Sequence, residues 1–174
     1  TVKQSWRNAN AQIVAFWSAC ETAVRSAIEI PNKSFPIRPG LYARRYGNWL
    51  LLHLPSGRFL VYPAPRASEG GDVTYMGNNQ RTRKFERLKT WGGKIVENIT
   101  QAVACDLLFE AGLRLEKAGY EIVLSVHDEY ICEIPDDKTR NHRHMEELMS
   151  SLPSWAEGLP LVAAGFETYR YRKE

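Results

Sequence analysis

Cysteine is scarce in this chain. There are three in 174 residues, Cys20, Cys105 and Cys132, far apart and each among apolar neighbours. The number is odd and no C-x-x-C pair occurs. That excludes a disulfide framework and a zinc ribbon, and the three read as reduced core thiols of an intracellular protein. Long apolar runs are lacking too. None approaches the roughly 18 residues of a membrane span, and no signal-peptide pattern opens the chain, so the expected compartment is the cytoplasm. Internal repeats, low-complexity tracts and long linkers are absent. Acid is sparse in the first half: residues 1–95 hold 15 Lys and Arg against 5 Asp and Glu, whereas residues 96–174 hold 8 against 15. Such a division suits one surface for a polyanion and another for cations, but chance clustering on a solvated face would give the same count.

What remains is ordinary for a folded protein, with 44% hydrophobic and 25% charged residues. A chain of this length can bury a core without disulfides or structural metals. Val2, Trp6, Ala9, Ile13, Phe16, Trp17, Cys20, Val24 and Ile28 recur every three or four residues, which predicts one long helix over 1–30, ended by Pro31. The Pro- and Gly-rich stretch Phe35–Gly40 reads as loop. Within a β-hairpin region, 41–66, the apolar runs Trp49–Leu54 and Arg58–Tyr62 flank Pro55-Ser56-Gly57. Arg66–Gly71 reads as loop. Residues 81–94 hold six Lys or Arg and one Glu, with Phe85 and Trp91 among them. Gly92-Gly93 precedes a helix over 94–117 that is apolar almost all round, as helices buried on most faces are, and Gly119 caps it.

Two strand-like runs, Ile122–Val126 and Tyr130–Ile134, then meet through His127-Asp128-Glu129 in a hairpin spanning 121–135. Short hairpin turns favour Asn-Gly or Asp-Gly because their central residues need positive φ. This turn has no glycine and places an imidazole and two carboxylates there instead. Charged residues at a hairpin tip are more often simply solvated. Where local preference and sequence disagree, however, function is a common reason, and carboxylate oxygens are hard ligands suited to Mg²⁺. A helix over 138–151 and a last strand from Leu159 complete the reading.

The string SVHDEYICEIP resembles motif C of family A (DNA polymerase I-like) DNA polymerases, and WGGKIVENITQAVACDLL resembles their glutamine-bearing helix in its phage and prophage form. The segments WRNANAQIVAFW, LPSGRFLVYPAP and LPLVAAGFETYRYRKE follow in the same order, so the resemblance spans essentially the whole chain, 1–174. It implies an α+β fold, the C-terminal palm portion of a polymerase, with an antiparallel sheet carrying the motif C hairpin on the long apolar helix. It also implies that Asp128 binds the catalytic Mg²⁺ ions, that Glu129 supports that site, that His127 lies near the primer terminus and that Gln101 reaches the minor groove. Beside motif C the basic stretch Arg81–Lys94 reads as phosphate-contacting, with a solvated face as the alternative, and Lys94, Arg87 and Asn98 are the residues placed with the nucleic-acid contacts. Asp106 and Glu97 read as structural, and His142 and His144 as unremarkable surface residues. The Trp6, Phe16 and Trp17 stripe reads as core.

The metal-ligating aspartate of motif A and the nucleotide-gripping helix of motif B do not occur in the sequence. The expectation is therefore weak Mg²⁺ binding and no polymerisation by this chain alone. Primer-template DNA and dNTP are the expected partners of the complete enzyme, with a complementary polymerase chain carrying motifs A and B, and a homo-oligomer is expected as a dimer made by pairing exposed sheet edges. Two rivals stand beside this reading: a non-catalytic DNA-binding or scaffold remnant of a polymerase, and a small metal-dependent hydrolase using His127 and Asp128.

Overall fold

A computed structural model of the chain describes residues 1–136 and 139–172. The fold is α+β and its sheets are antiparallel. It divides into two compact units, 1–103 and 104–174, the division falling within one long helix.

In the first unit the N-terminal region is two helices, α1 (Val2–Ala9) and α2 (Ala11–Glu29), rather than one. The break needs no proline or glycine. Asn10 leaves helical geometry at ψ 46°, and its side-chain amide donates to the Trp6 carbonyl at 2.8 Å, offering the backbone an alternative to the next helical turn. The apolar stripe is buried only in its second half, at Cys20, Val24 and Ile28, whereas Val2, Trp6 and Ile13 are exposed. Phe16 and Trp17 pack partly against the core, with Trp6 stacked on Trp17 at 5.7 Å between ring centres.

Strands β1 (Ser34–Arg38), β2 (Leu41–Tyr46), β3 (Trp49–His53) and β4 (Phe59–Pro63) form a sheet in that order. The expected loop Phe35–Gly40 is thus largely strand. Pro36 is accommodated because β1 lies at the sheet edge, where a missing N–H costs no ladder bond to a second neighbour. Leu41, Ala43, Leu50, Leu52 and Tyr62 face α2 and close the core with Cys20, Val24, Ala27 and Ile28. A second sheet comprises β5 (Arg66–Ala67), β6 (Val73–Asn78) and β7 (Phe85–Thr90). Arg66 and Ala67, expected in a loop, therefore pair with Thr74 and Val73, and the basic stretch from Arg81 supplies a turn and then β7. Helix α3 (Gly92–Lys117) adds Ile95, Val96, Ile99 and Ala102 to the first core.

The second unit contains the rest of α3, the hairpin β8 (Glu121–Val126) and β9 (Glu129–Glu133), and α4 (His142–Ser150). The start expected for this last helix, Lys138, lies outside the described residues. Leu107, Ala111, Leu115 and Tyr120 are buried, but Val123 and Leu124 of β8 are about half exposed and Phe109 and Leu113 of α3 more so, so α3 is not buried all round. Hydrogen bonds carry much of the assembly. Arg114 donates to the carbonyls of Leu148 and Ser151, and Trp155 Nε1 donates to Glu110 at 2.7 Å. Among the described residues no strand forms from Leu159 onward. Polar side chains satisfy that segment's amides instead: Ala163 N–H donates to Ser150 Oγ, and Gly165 N–H to Glu146. His142 and Glu167 add a 2.8 Å contact between α4 and this tail. Among the described residues, no helix is long and apolar enough to cross a membrane.

Candidate metal centre and nucleic-acid interface

The candidate site begins with the turn between β8 and β9. Val126 pairs with Glu129, leaving His127 and Asp128 as the two connecting residues. His127 takes φ +54°, a conformation that costs a non-glycine residue roughly 1–2 kcal/mol. The backbone thus adopts the positive φ that such a turn demands, without the residue that would make it inexpensive. His127, Asp128 and Glu129 are all exposed at the tip.

The hairpin is held on α3 by Tyr130. Its hydroxyl donates to the Leu108 carbonyl at 3.1 Å. The ring occupies the space beside Gly112, where an added Cβ would come within 2.6 Å of the phenol oxygen and 2.9 Å of Cζ. A small residue on α3 therefore seats the strand that follows the acidic turn. Burial raises the Tyr130 pKa above 10.0, with Cys105 and Glu116 adding to the effect. Cys132 is also partly buried, and its thiol is pushed up by desolvation.

Upstream, the first turn of α3 explains the WGGK string. The Gly92 N–H donates to the Glu21 carboxylate at 2.9 Å, so a carboxylate from α2 caps this helix. A Cβ on Gly92 would collide with the Trp17 carbonyl, and one on Gly93 would strike the Trp91 indole that folds over it. Trp91 in turn meets Trp17 edge-on at 5.4 Å. Gly92 is needed because the Trp17 backbone approaches α3 too closely for a side chain, whereas the obstacle at Gly93 is the half-exposed Trp91 ring.

Lys94, Asn98 and Gln101 follow at spacings of four and three, which sets them along one side of α3. Gln101 is exposed; Lys94 is exposed and pairs with Glu97 at 2.8 Å. The Asn98 amide donates to the Tyr62 hydroxyl at 2.9 Å. Tyr62 is itself buried, and its pKa is raised by desolvation more than the Asn98 bond lowers it. Arg87 on β7 gives Nη1 to the Ala64 carbonyl and the Thr74 hydroxyl. These four residues belong to the first unit, and the acidic tip belongs to the second.

Three residues had roles that periodicity did not reveal. Glu21 lies on α2, 71 positions before the amide it caps. Tyr130 and Gly112 read as ordinary members of a strand and a helix. His142 and His144 are also engaged: His144 Nδ1 meets the Tyr120 hydroxyl at 3.0 Å, and His142 meets Glu167, whose pKa is lowered chiefly by the His142 backbone N–H. Asp106 is buried, in keeping with a structural part.

As a metal site the tip provides two adjacent hard carboxylates, which suits an ion held by one or two carboxylates together with phosphates and water. Among the described residues, no group of three or more His, Cys, Asp or Glu side chains is placed to hold a metal ion.

No protein-family model matches the chain, and no solved structure does. It is similar to a protein named DNA polymerase from Bacillus phage SP02, with 40% identity over 176 aligned residues. The alignment covers 98% of this chain and 27% of that protein, so the chain spans little more than a quarter of the length of its relative.

Proposed function

We propose that the chain is the C-terminal palm portion of a family A, phage- or prophage-type DNA-directed DNA polymerase. Asp128 is a ligand of the catalytic Mg²⁺, and Glu129 supports that site. His127 approaches the primer terminus, Gln101 tests base-pair geometry in the minor groove, and Lys94, Arg87 and Asn98 belong to the DNA-facing side. The observation that carries the reading is the glycine-free turn. A backbone that would be better served by glycine instead holds His127 at positive φ and presents two carboxylates beyond it.

The chemistry is consistent with such a role. In phosphoryl transfer, divalent metal ions stabilise the attacking and leaving oxygens. The protein's part is to position groups and neutralise charge. Asp128 and Glu129, on a hairpin seated by Tyr130, offer fixed oxygens for a cation. A polymerase must accept every sequence, and the minor groove presents nearly the same acceptors at each base pair, so an amide donor such as Gln101 can sense pair geometry without reading sequence. Arg87 and Asn98 each spend donors within the protein, which orients them and leaves further N–H groups for phosphate or base.

Two adjacent carboxylates without a third ligand bind Mg²⁺ weakly, since this ion keeps its waters and leans on substrate phosphates. The chain alone is therefore inactive. The complementary motifs A and B come from elsewhere in the polymerase, and the half-exposed Phe109, Leu113, Val123 and Leu124 form the apolar surface on which that part rests. Primer-template DNA and dNTP are the substrates of the assembled enzyme.

The test is a chimera in which this chain replaces the matching segment of the phage SP02 protein. Primer extension should be retained, and Asp128→Asn should lower it by about a hundredfold or more. Glu129→Gln should lower it by about ten- to a hundredfold, as loss of a supporting carboxylate does. An Asp128→Asn chimera that extends primers as well as its parent would overturn the assignment. The same scaffold that binds primer-template but extends nothing, with Asp128 intact, would favour the non-catalytic remnant.

A further inference from the structure

The four-stranded sheet has two very different faces. One is the core side described above. The ladder register sets the other: Tyr42, His53 and Phe59 lie in one row across β2, β3 and β4, Arg44, Leu51 and Val61 in the next, and Tyr46, Trp49 and Pro63 in the third. Within the first row, Tyr42 stacks on His53 with ring centres 4.5 Å apart and planes at 11°, and His53 meets Phe59 edge-on at 5.1 Å. The outer members are open: Tyr46 is 64% exposed, and Trp49, Phe59 and Val61 are each 49% exposed. An isolated exposed aromatic needs no explanation, but a contiguous grid of them on one sheet face does.

Charge indicates the occupant. Residues 30–68 contain no Asp or Glu at all, while Lys33, Arg38, Arg44, Arg45, Arg58 and Arg66 fall within them. Arg44 is exposed in the middle row and has no carboxylate partner among the described residues. Arg45 is turned away, giving its N–H groups to the Ile28 and Gly47 carbonyls, Arg38 lies over the Phe16 ring and Arg58 reaches the Ala102 carbonyl, so Arg44 is the cation that the ladder register sets in the outer rows. A face built to meet another protein's apolar surface has no reason to exclude every carboxylate from its sheet. A face built for a polyanion does.

We propose that this outer face binds single-stranded nucleic acid. Unpaired bases stack on Tyr46, Trp49 and the Tyr42–His53–Phe59 row, and phosphates run past Arg44. Open aromatic sheet faces suit this ligand, since every base has a π-face and stacking needs no particular sequence. Neighbouring rows lie about 6.8 Å apart along the strands, room for a separate base on each. The site lies in the first unit and uses neither Asp128 nor Gln101, so it stands apart from the polymerase reading.

The experiment is fluorescence anisotropy of the 174-residue chain with a labelled 12-nucleotide oligodeoxythymidylate, a 12-nucleotide oligouridylate and a 12-base-pair duplex. The single strands should bind more tightly than the duplex. Trp49→Ala and Tyr46→Ala should each weaken binding by about fivefold to a hundredfold. Arg44→Gln should reduce the slope of log affinity against log salt by about 0.7. Urea midpoints close to that of the parent would establish that the three exposed substitutions leave the fold intact, and cation titrations at Asp128 should not change. Two results would overturn the proposal. One is failure of the parent chain to bind the oligonucleotides, or binding that all three substitutions leave unchanged. The other is a dimer in sedimentation that Trp49→Ala dissolves without any effect of oligonucleotide, which would make the face a protein contact.

Discussion

Tyr130 lies where a side chain at position 112 would have to go. Its hydroxyl, bonded to the Leu108 carbonyl, is 2.6 Å from the Cβ that Gly112 does not have. A helix position without a side chain and a strand residue with a large one together fix how the acidic hairpin sits on α3. The aromatic ring is stiff and buried on one side, so neither partner can adapt cheaply to a change in the other.

Substitution at this contact should be costly from the helix side. Gly112→Ala gains helix propensity of about 1 kcal/mol but forces Tyr130 off its carbonyl, with overpacking of about 1–3 kcal/mol. A net loss in urea denaturation is expected, and Gly112→Val should lose more. Tyr130→Phe removes only the hydrogen bond, about 1 kcal/mol, and the Gly112→Ala, Tyr130→Phe double change should fall short of the sum. Full additivity would mean that the two positions do not share the strain.

Alkaline pH should weaken the fold through two tyrosines. Desolvation raises the pKa of both Tyr62 and Tyr130 above the ordinary 10.0. The folded state therefore favours the neutral phenol. Its contribution is complete below pH 10 and is lost as pH rises through the higher folded values. Phenolate absorbance at 295 nm should show a late-titrating component, and Tyr62→Phe should diminish it. A titration with no such late component would contradict the burial of Tyr62 and Tyr130.

The carboxylate cap on α3 makes a separate prediction. Glu21→Gln leaves a weaker acceptor at the Gly92 N–H and should cost about 0.5–2 kcal/mol. Gly92→Ala should cost more, because the obstacle is the Trp17 backbone and not a movable side chain. Both effects can be read from thermal midpoints. Equal, negligible shifts would show that the WGGK string serves something other than close approach.

His127→Gly tests whether the turn trades stability for chemistry. Glycine relieves the left-handed strain of about 1–2 kcal/mol but adds about 0.4–1 kcal/mol of unfolded-state entropy. The variant should be as stable as its parent or up to about 1.6 kcal/mol more stable in urea. In the SP02 chimera the same change should reduce primer extension. A clear loss of stability would mean that the imidazole holds the turn together, and a structural role would then be enough to explain it.

Much of this organisation was legible in the residues. The hairpins from Trp49 and from Ile122 showed as paired apolar runs flanking a turn, and the helix through Gln101 had a long apolar pattern ended by Gly119. Asp128 was readable as a turn residue because glycine was missing where φ would ask for it. The misses have particular causes. Asn10 breaks a good helical period through its own side-chain bond to Trp6, which periodicity does not register. Pro36 argues for loop until its strand is known to be at an edge. Leu159–Phe166 has strand-like composition but forms no sheet, and Ser150 and Glu146 accept two of its backbone bonds instead. Such partners lie many residues away, so local pattern does not reveal them.

The two-stranded hairpin has a further consequence. Among the described residues, β8 and β9 pair only with each other, so each keeps one outward row of N–H and C=O groups. A third strand laid against that rim would run about 4.8 Å away. A carboxylate it carried at the level of Val126 would arrive next to Asp128 with no movement of the turn. In the proposed polymerase, completing the Mg²⁺ coordination and completing the sheet would then be a single event.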